Sequence, residues 1–159
     1  MEIRPAVEDD LPALLPLMRA YCTFYGRSPS DAALEQMARV FLAEPDREGR
    51  QFVAVGESGG LLGYATLLWS WDTTLGDRVA VMEDLFVDAA ARGQGVGRAL
   101  IGVVREAATD AAVADLVWET APDNTTAQAL YDTTGAVRSS WYAYRMPAKA
   151  TPTPTPTGA

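Results

Sequence analysis

The sequence predicts a single domain of the mixed α/β class, and three observations lead to that prediction. The chain has 159 residues, a length that fits one domain. Hydrophobic residues make up 48% of the chain and charged residues 21%, which is typical of a globular protein with an apolar core. Segments with strand-like and helical apolar spacing follow one another in the order β-α-α-β-β-β-α-β-α-β. We therefore expect a sheet with helices packed against it.

The chain begins with a predicted strand and a first predicted helix. Ile3 to Ala6 has the character of a short strand, and Asp9 and Asp10 are suited to cap the helix that follows. Pro12 fits the first turn of this helix, whereas Pro16 lies inside it and predicts a kink or an interruption. Its apolar residues keep helical spacing; they are Leu11, Leu14, Leu15, Met18, Cys22 and Tyr25.

A second helix and a hairpin come next. Ser28-Pro29-Ser30-Asp31 predicts a helix start, with Ser28 as the capping hydroxyl and proline at the first helical position. We expect one stripe of this helix to be buried, formed by Leu34, Met37, Ala38, Phe41 and Leu42. The glycine-rich turn Gly56 to Gly60 joins two strand-like segments, Gln51 to Val55 and Leu61 to Trp71, and so predicts a hairpin.

The second half of the chain continues the alternation and ends in a tail. The predicted elements are a strand from Val79 to Val87, a helix from Arg98 to about Ala111, a strand from Leu116 to Thr120, a helix from Ala127 to Thr133 ended by Gly135, and one or two closing strands at Val137 and Trp141 to Met146. Alternating threonine and proline from Thr151 to Thr157 favour extended, solvated backbone. We therefore expect a folded domain over residues 1–147 and a disordered tail over residues 148–159.

Composition and charge exclude several classes of function. The net charge of −8 makes nucleic acid an unsuitable partner and favours a small cationic substrate. The chain has no histidine, which excludes histidine-based catalytic triads and histidine-ligated zinc. Its one cysteine, Cys22, cannot form an internal disulfide, so we expect a cytoplasmic protein. Neither a signal peptide nor an apolar run of transmembrane length is present in the sequence, and we expect no membrane partner.

A glycine-rich loop between a predicted strand and a predicted helix is the strongest chemical signal. Its residues are Arg92, Gly93, Gln94, Gly95, Val96, Gly97 and Arg98. Such a loop directs unpaired backbone N–H groups toward one point at the positive end of a helix, an arrangement that binds phosphate. Arg98 stands where a P-loop and a dinucleotide-binding fingerprint would need other residues, which excludes both. A plain strand-to-helix turn remains the alternative.

Two carboxylates interrupt the apolar strand before this loop. Glu83 and Asp84 are consecutive, so their side chains should point to opposite faces of the strand. A carboxylate in such a strand is costly to bury unless it is paired, and one that faces a cleft can attract an ammonium group and accept its proton through water. A structural salt bridge or exposure at a sheet edge explains the pair equally well.

Further candidates lie elsewhere in the chain, each with a structural alternative. Tyr131 is a weak acid that could give its proton to a departing thiolate when an amine displaces it; alternatively, it is an ordinary core residue. Asn124 precedes the same helix and could bind a cofactor arm or merely cap the helix. Trp69, Trp71 and Asp72 could hold an alkylammonium group, although the tryptophans are also suited to the core.

The loop from Arg92 to Gly97 matches the pattern Arg/Gln-x-x-Gly-x-Gly and resembles the acyl-coenzyme A signature of the GNAT family of N-acetyltransferases. The succession of elements from Ile3 to Met146 is similar to that of the same family. This resemblance implies a GNAT fold, with a central, mostly antiparallel mixed sheet of six to seven strands flanked by four helices. It also implies acetyl-CoA as cosubstrate without a metal, and pairing of the backbone of Leu85, Phe86 and Val87 with the pantetheine arm.

Four separated motifs resemble the diamine acetyltransferase branch of that family; they are Trp71-Asp72, Met82 to Val87, the Arg92–Gly97 loop with Asn124, and Leu130-Tyr131 with Gly135-Ala136. The resemblance implies that Glu83 acts as the base through water and Tyr131 as the acid. It also implies that the amine is bound by Tyr21, Trp71, Asp72, Glu83 and Asp84. Cys22 stands where that branch has an acid, which leaves monoamines, amino-acid side chains and drug amines open as acceptors.

The sequence therefore predicts an N-acetyltransferase that transfers an acetyl group from acetyl-CoA to a primary amine of a small molecule by direct attack. The alternatives are acetylation of an aminoglycoside, an amino acid or a protein N-terminus, and a non-catalytic sensor of acyl-CoA. The expected partners are a small amine and, as an assembly, a second copy of the chain in a homodimer.

Overall fold

The computed structural model describes residues 1–148, and within them it contains five strands and four α-helices. The strands are β1 (Glu2–Pro5), β2 (Gly49–Val55), β3 (Leu61–Asp72), β4 (Asp77–Val87) and β5 (Asp115–Val117). The helices are α1 (Leu11–Phe24), α2 (Asp31–Ala43), α3 (Val96–Asp110) and α4 (Thr125–Tyr131). Short 3-10 helices, Glu8–Asp10 and Ala89–Ala91, lead into α1 and into the glycine loop. The predicted tail from residue 149 onward lies outside the described residues.

The strands form one sheet in the order β1-β2-β3-β4-β5. Strands β1 to β4 pair antiparallel, and β4 pairs with β5 in parallel, which confirms the predicted mixed and mostly antiparallel sheet. The parallel pairing covers only Val79 to Val81 of β4, opposite Asp115 to Val117. Strand β4 continues to Val87 beyond the end of β5, so this half of its edge has no partner strand within the described residues.

The prediction of six to seven strands is wrong for this structure. Val137 and Trp141 to Met146 were expected to form closing strands, but residues 136–148 form no strand. A strand is stable only when its backbone groups are paired with a neighbour. Strand β5 is three residues long, and the segment after α4 finds no other partner in the described part of the chain. Its apolar side chains are accordingly exposed.

The first helix begins at the predicted place but in a different way. Asp10 immediately precedes α1, yet its carboxylate binds Arg4 at 2.6 and 2.8 Å and the Val7 N–H at 2.8 Å instead of capping the helix. Pro16 does not interrupt the helix, since α1 runs unbroken from Leu11 to Phe24. The N–H that Pro16 lacks would have bonded residue 12 in the first turn, where a missing bond does little damage.

The second helix begins two residues later than predicted. Ser30, and not Ser28, caps α2 by accepting a hydrogen bond from the Ala33 N–H at 3.2 Å. Of the predicted stripe, Leu34 and Ala38 are buried, Phe41 and Leu42 are half-buried, and Met37 is exposed at the margin of the stripe.

Each face of the sheet is covered by its own helices. Helix α3 packs on one face, where its Leu100 and Val104 join Leu67 and Met82 in a buried core. Helices α1 and α2 pack on the other face around a second core that includes Leu14, Met18, Leu34, Val53 and Tyr64. Both cores end near the unpaired half of β4, which is where the candidate site lies.

Candidate active site

A β-bulge in β4 separates the two predicted carboxylates. Thr66 of β3 pairs with Asp84, but the next residue, Leu67, pairs with Met82, so Glu83 is the extra residue of the bulge. Before the bulge Met82 faces α3, and after it Asp84 faces α1 on the other side of the sheet. Glu83 is exposed whereas Asp84 is buried, which confirms that the two carboxylates occupy different environments.

Asp84 is a buried acid with an unusual protonation equilibrium. Burial raises the pKa of its carboxyl group to about 6, and the charge of Glu83 acts in the same direction. The hydroxyl groups of Thr66 and Tyr21 lower that pKa in part. Asp84 therefore changes charge close to neutral pH, whereas an exposed aspartate would be ionised throughout that range.

Tyr21 connects helix α1 to the bulge. Its hydroxyl donates a hydrogen bond to the backbone carbonyl of Glu83 at 3.1 Å. Burial and the nearby Asp84 carboxylate raise the pKa of Tyr21, so this phenol stays neutral. Its ring makes edge-on contacts with Tyr25, Tyr64 and Phe86 at centroid distances of 5.1, 6.3 and 6.4 Å. Tyr21 thus lines an aromatic wall beside the two carboxylates.

The glycine loop has the geometry of an anion site. Gly93 and Gly95 have φ angles of +75° and +82°, which glycine adopts without strain, and both Cβ positions face open space. The first bond of the α3 ladder runs from the Ala99 N–H to the Gly95 carbonyl, at 3.0 Å. In the described part of the chain, the N–H groups of residues 93–98 have no hydrogen-bond partner. These donors are available to a phosphate at the positive end of α3.

The basic residues of the loop are held by its surroundings. The Arg92 guanidinium donates from Nε to the Val87 carbonyl at 3.1 Å and lies over the Phe86 ring. Arg98 donates to the Thr133 hydroxyl at 2.7 Å and to the Thr133 carbonyl at 3.3 Å. Both side chains are exposed, so their charges remain accessible at the mouth of the loop.

Helix α4 brings Tyr131 to the same region. Leu130 packs so closely on the first turn of α3 that a Cβ added to Gly97 would lie 3.0 Å from its Cδ2. Tyr131 is half-buried against Trp118, at a centroid distance of 5.5 Å. Burial and the neighbouring Tyr25 raise the pKa of Tyr131 to about 12, so its phenol carries its proton at neutral pH. Asn124 caps α4 by accepting from the Ala127 N–H at 3.3 Å.

The structure brings together most of the predicted site, but not all of it. The bulge, the open edge from Leu85 to Val87, the glycine loop and Tyr131 border one region between β4 and α4. Trp71 and Asp72 lie at the tip of the β3–β4 hairpin, where Asp72 pairs with Asp77. That tip is about 20 Å along β3 from Thr66, because a strand rises about 3.3 Å per residue.

At the hairpin tip, Asp72 has a structural partner of its own. Its carboxylate accepts from the Thr74 N–H at 2.8 Å and from the Thr74 hydroxyl at 2.6 Å. These bonds lower the pKa of Asp72 and shape the turn. Trp71 is 67% exposed, which excludes it from the core of the chain, whereas Trp69 packs against the α3 core as the alternative interpretation expected.

Sequence reasoning missed four residues that build the site. Thr66 and Gln51 form a buried polar pair behind Asp84, and Tyr25 and Trp118 flank Tyr131. Tyr25 had a detectable signal, since it follows Tyr21 by one helical turn. The other three lie on strands or in the segment after β5, and only the register of the sheet reveals their neighbours.

The sequence matches the model of the Acetyltransferase (GNAT) family over residues 14–136, more than half of the chain. The chain belongs to the GNAT family of acetyltransferases. A Bacillus subtilis (strain 168) relative, the uncharacterized N-acetyltransferase YhfO, is 29% identical over 153 residues, which cover 94% of this chain and 100% of that protein. The GNAT assignment makes the chain an N-acetyltransferase, and acetyl-CoA is the cosubstrate of the family.

Solved structures agree with the GNAT fold. The crystal structure of a probable acetyltransferase has a TM-score of 0.82 at 25% identity, covering 95% of this chain and 100% of that chain. An aminoglycoside 6'-N-acetyltransferase from Acinetobacter haemolyticus has a TM-score of 0.77 at 22% identity, covering 94% of this chain and 100% of that one. At that identity the second likeness shows the fold alone.

Two further observations concern metal ligands and membrane-spanning helices. Within residues 1–148, no group of three or more cysteine and acidic side chains is arranged to hold a metal ion. None of the helices in that part of the chain is long and apolar enough to cross a membrane.

Proposed function

We propose that this enzyme transfers the acetyl group of acetyl-CoA to a primary amine of a small cationic molecule, such as a diamine or polyamine, by direct attack. The observation that carries the proposal is the arrangement along β4. The bulge at Glu83 and the open edge from Leu85 to Val87 lie on this one strand, the glycine loop follows shortly after its end, and Tyr131 lies beside them. A cofactor extended along this edge would present its thioester next to two carboxylates and a phenol.

The residues available for the cosubstrate fit its chemistry. The unpaired N–H groups of residues 93–98 suit a pyrophosphate, and Arg92 and Arg98 add positive charge. From Leu85 to Val87, β4 pairs with β3 on one side only, and its outer edge, where Arg92 occupies the Val87 carbonyl, suits the amide-containing pantetheine arm. Asn124 caps α4 through its Oδ1, and its amide N–H groups are left to donate to that arm. The cosubstrate supplies an activated acetyl group, and the chain supplies position and proton transfer.

The exposure of Glu83 and the pKa of Tyr131 support the proposed base and acid roles. Glu83 is exposed at the bulge, where its carboxylate can take a proton from the incoming ammonium through water. Tyr131 keeps its proton at neutral pH and can donate it to the departing thiolate. The exposure of Glu83 and the raised pKa of Tyr131 agree with these two roles.

The amine is attracted by charge and by aromatic surface. The chain carries a net charge of −8, and Asp84 places a carboxylate behind the aromatic wall of Tyr21. Phe24 and Tyr25 extend that wall to the surface, with exposed fractions of 60% and 42%. Such a surface suits an alkylammonium group. Burial and Asp84 raise the pKa of Cys22, so this residue supplies no charge where the diamine acetyltransferases have an acid.

An aminoglycoside is the second candidate acceptor. It is also a polycationic amine, and two of the structurally similar proteins are aminoglycoside acetyltransferases with TM-scores of 0.77 and 0.75. At 22% and 20% identity these likenesses show the fold alone, so the support for this class is its polycationic amine chemistry. A ribosomal-protein-alanine N-acetyltransferase from Brucella melitensis shares the fold as well, with a TM-score of 0.74.

The acceptor is tested by measuring CoA release from acetyl-CoA with a panel of amines. The panel contains a monoamine, a diamine, a polyamine, a free amino acid, an aminoglycoside and a peptide with an N-terminal alanine. We expect the highest kcat/KM with a diamine or polyamine. Preference for the aminoglycoside or the peptide would replace our proposal, and binding of acetyl-CoA without turnover on any amine would support the sensor alternative.

We also propose that the enzyme works as a homodimer in the cytoplasm. Val137, Trp141, Tyr142, Tyr144 and Met146 are each at least 88% exposed, and exposed apolar segments of this size mark interaction surfaces. The outer edge of β5 lacks a partner strand in the described residues, so a second copy offers the backbone pairing that the segment lacks. The single cysteine agrees with a reducing compartment.

Sedimentation of the full chain at micromolar concentration tests the homodimer. We expect a dimer for the wild type and a monomer for the double variant Trp141→Glu and Tyr144→Glu. A monomeric wild type would contradict the proposal.

A further inference from the structure

Behind the bulge, three buried polar residues form a row across strands β2, β3 and β4. Gln51 of β2, Thr66 of β3 and Asp84 of β4 have exposed fractions of 4%, 1% and 9%. The Gln51 side-chain amide donates to the Thr66 hydroxyl oxygen at 3.1 Å, and Gln51 itself pairs with Thr66 in the sheet. Thr66 in turn pairs directly with Asp84, which places the two side chains next to each other on one face of the sheet, and its hydroxyl lowers the pKa of the Asp84 carboxyl.

The row has a defined direction of hydrogen bonding. A threonine hydroxyl has one proton to donate and can accept through its oxygen. Because the Gln51 N–H already points at the Thr66 oxygen, the Thr66 proton is left for another acceptor. The carboxylate of Asp84 is the charged acceptor opposite it, and a hydrogen bond to a carboxylate favours its ionised form.

We propose that Thr66, held by Gln51, is a positioning residue that keeps Asp84 ionised and oriented toward the acceptor amine. This inference rests on the proposed function of the site, since it assigns Asp84 the attraction of the ammonium group. Thr66 touches neither the amine nor the cosubstrate. It acts through Asp84, in a region where burial would otherwise favour the neutral acid.

The neighbours of Asp84 allow its titration to be followed separately. From α1 it is faced by Tyr21 and Cys22, from β3 by Tyr64, and from its own strand by Glu83. The pKa values of Tyr21, Cys22 and Tyr64 are all raised, so these groups stay neutral below pH 8. Among the described residues, no cation contributes to the shift of Asp84. The ionised form of Asp84 is therefore favoured by uncharged hydroxyl groups, and Thr66 provides the fully buried hydroxyl.

The first experiment compares kcat/KM for the preferred amine between Thr66→Val and the wild type from pH 5.5 to 8.5. The ratio of the two values cancels the ionisation of the substrate. Thr66→Val keeps the shape of the side chain but removes the donor, and we expect the pKa of Asp84 to rise by about one unit. The kcat/KM of Thr66→Val divided by that of the wild type should then be about one at pH 8.5 and about one third near pH 6.5. At lower pH the ratio should decrease further.

Conservative and control variants separate positioning from packing. Thr66→Ser retains the hydroxyl and should restore the wild-type profile, whereas Gln51→Leu should shift it in the same direction as Thr66→Val but less. Thr109→Val removes an exposed hydroxyl that bonds only Arg105 within α3, and it should leave the profile unchanged. A pH-independent loss of activity in Thr66→Val would mean a structural role alone and would overturn the inference.

A second measurement does not depend on activity. The carboxyl groups of ¹³C-labelled aspartate are titrated by NMR in the wild type and Thr66→Val, with the Asp84 signal assigned from Asp84→Asn. A higher pKa of Asp84 in Thr66→Val supports the inference even if no tested amine is acetylated, and an unchanged pKa overturns it. If Thr66→Val does not fold, Thr66→Ala is titrated in its place. Failure of the amine panel would contradict only the proposed function.

Discussion

The Tyr21 hydroxyl donates a hydrogen bond to the backbone carbonyl of Glu83 at 3.1 Å and so ties helix α1 to the bulge of β4. The bulge carries the exposed carboxylate and sits between the buried Asp84 and the open edge of the strand. This hydrogen bond therefore links the aromatic wall, which would hold the amine, to the backbone of Glu83, the proposed base.

Tyr21→Phe tests this link. The change removes the hydroxyl but keeps the ring contacts with Tyr25, Tyr64 and Phe86. We expect the free energy of unfolding to fall by about 1 kcal/mol and kcat/KM for the amine to fall about fivefold or more, with unchanged affinity for acetyl-CoA. Thr23→Val, which removes a hydroxyl bonded only within α1, is the control. If Tyr21→Phe and Thr23→Val had the same kcat/KM for the amine, the hydrogen bond of Tyr21 would have no functional role.

Tyr131→Phe tests the proton donor. The ring stays packed against Trp118, so we expect the fold and the Kd for acetyl-CoA to be retained. Turnover should fall by about a hundredfold, the lower range for a general acid. Calorimetric binding and steady-state kinetics on the same sample give the two quantities. A turnover close to that of the wild type would remove Tyr131 from the mechanism.

Gly95→Ala tests the anion site, and Gly102→Ala is its matched control. Gly95 has a φ of +82°, which costs a residue with a Cβ about 1 kcal/mol or more, and the added methyl would project into the open space of the loop. We expect the affinity for CoA to fall at least about tenfold. Gly102 lies in the middle of α3 with free space around its Cβ position, so alanine there should stabilise the helix by about 0.5–1 kcal/mol without affecting CoA binding. Equal CoA affinity in the two variants would contradict the anion site.

Asp84→Asn tests the buried carboxyl through the pH dependence of stability. The folded-state pKa of about 6 lies above the ordinary value of 3.8, so the folded state binds the proton more tightly than the unfolded state. The contribution of Asp84 to stability is therefore present below pH 4 and is lost as the pH rises through 6. We measure the free energy of unfolding in urea at pH 4 and at pH 8. The value for the variant minus that for the wild type should increase by on the order of 2 kcal/mol over this range. If this difference in the free energy of unfolding did not change with pH, Asp84 would have an ordinary pKa.

Local sequence carries the signals for the turns, the glycine loop and the helices of this chain. The hairpin between β2 and β3, the glycine loop before α3 and the helix that carries Tyr131 were all predicted, because turn residues and apolar spacing act over a few neighbouring residues. Start positions were less certain, as Ser30 rather than Ser28 caps α2. The closing strands near Trp141 were wrong for the described chain, since a strand-like pattern does not provide a partner.

In the candidate site, too, some features were predictable from local sequence and others depend on the tertiary structure. The glycine pattern around Gly95 was sufficient to predict an anion site, because φ preference and free N–H groups belong to the loop itself. The burial of Asp84 rather than Glu83, the row from Gln51 through Thr66 to Asp84, and the distance of Asp72 from the bulge could not be predicted from the sequence. They depend on which residues face one another across strands, and a single extra residue at Glu83 changes that register for every residue after it. The chain thus specifies its elements and its phosphate loop locally, while the protonation of its buried acid arises from the packing of three strands and a helix.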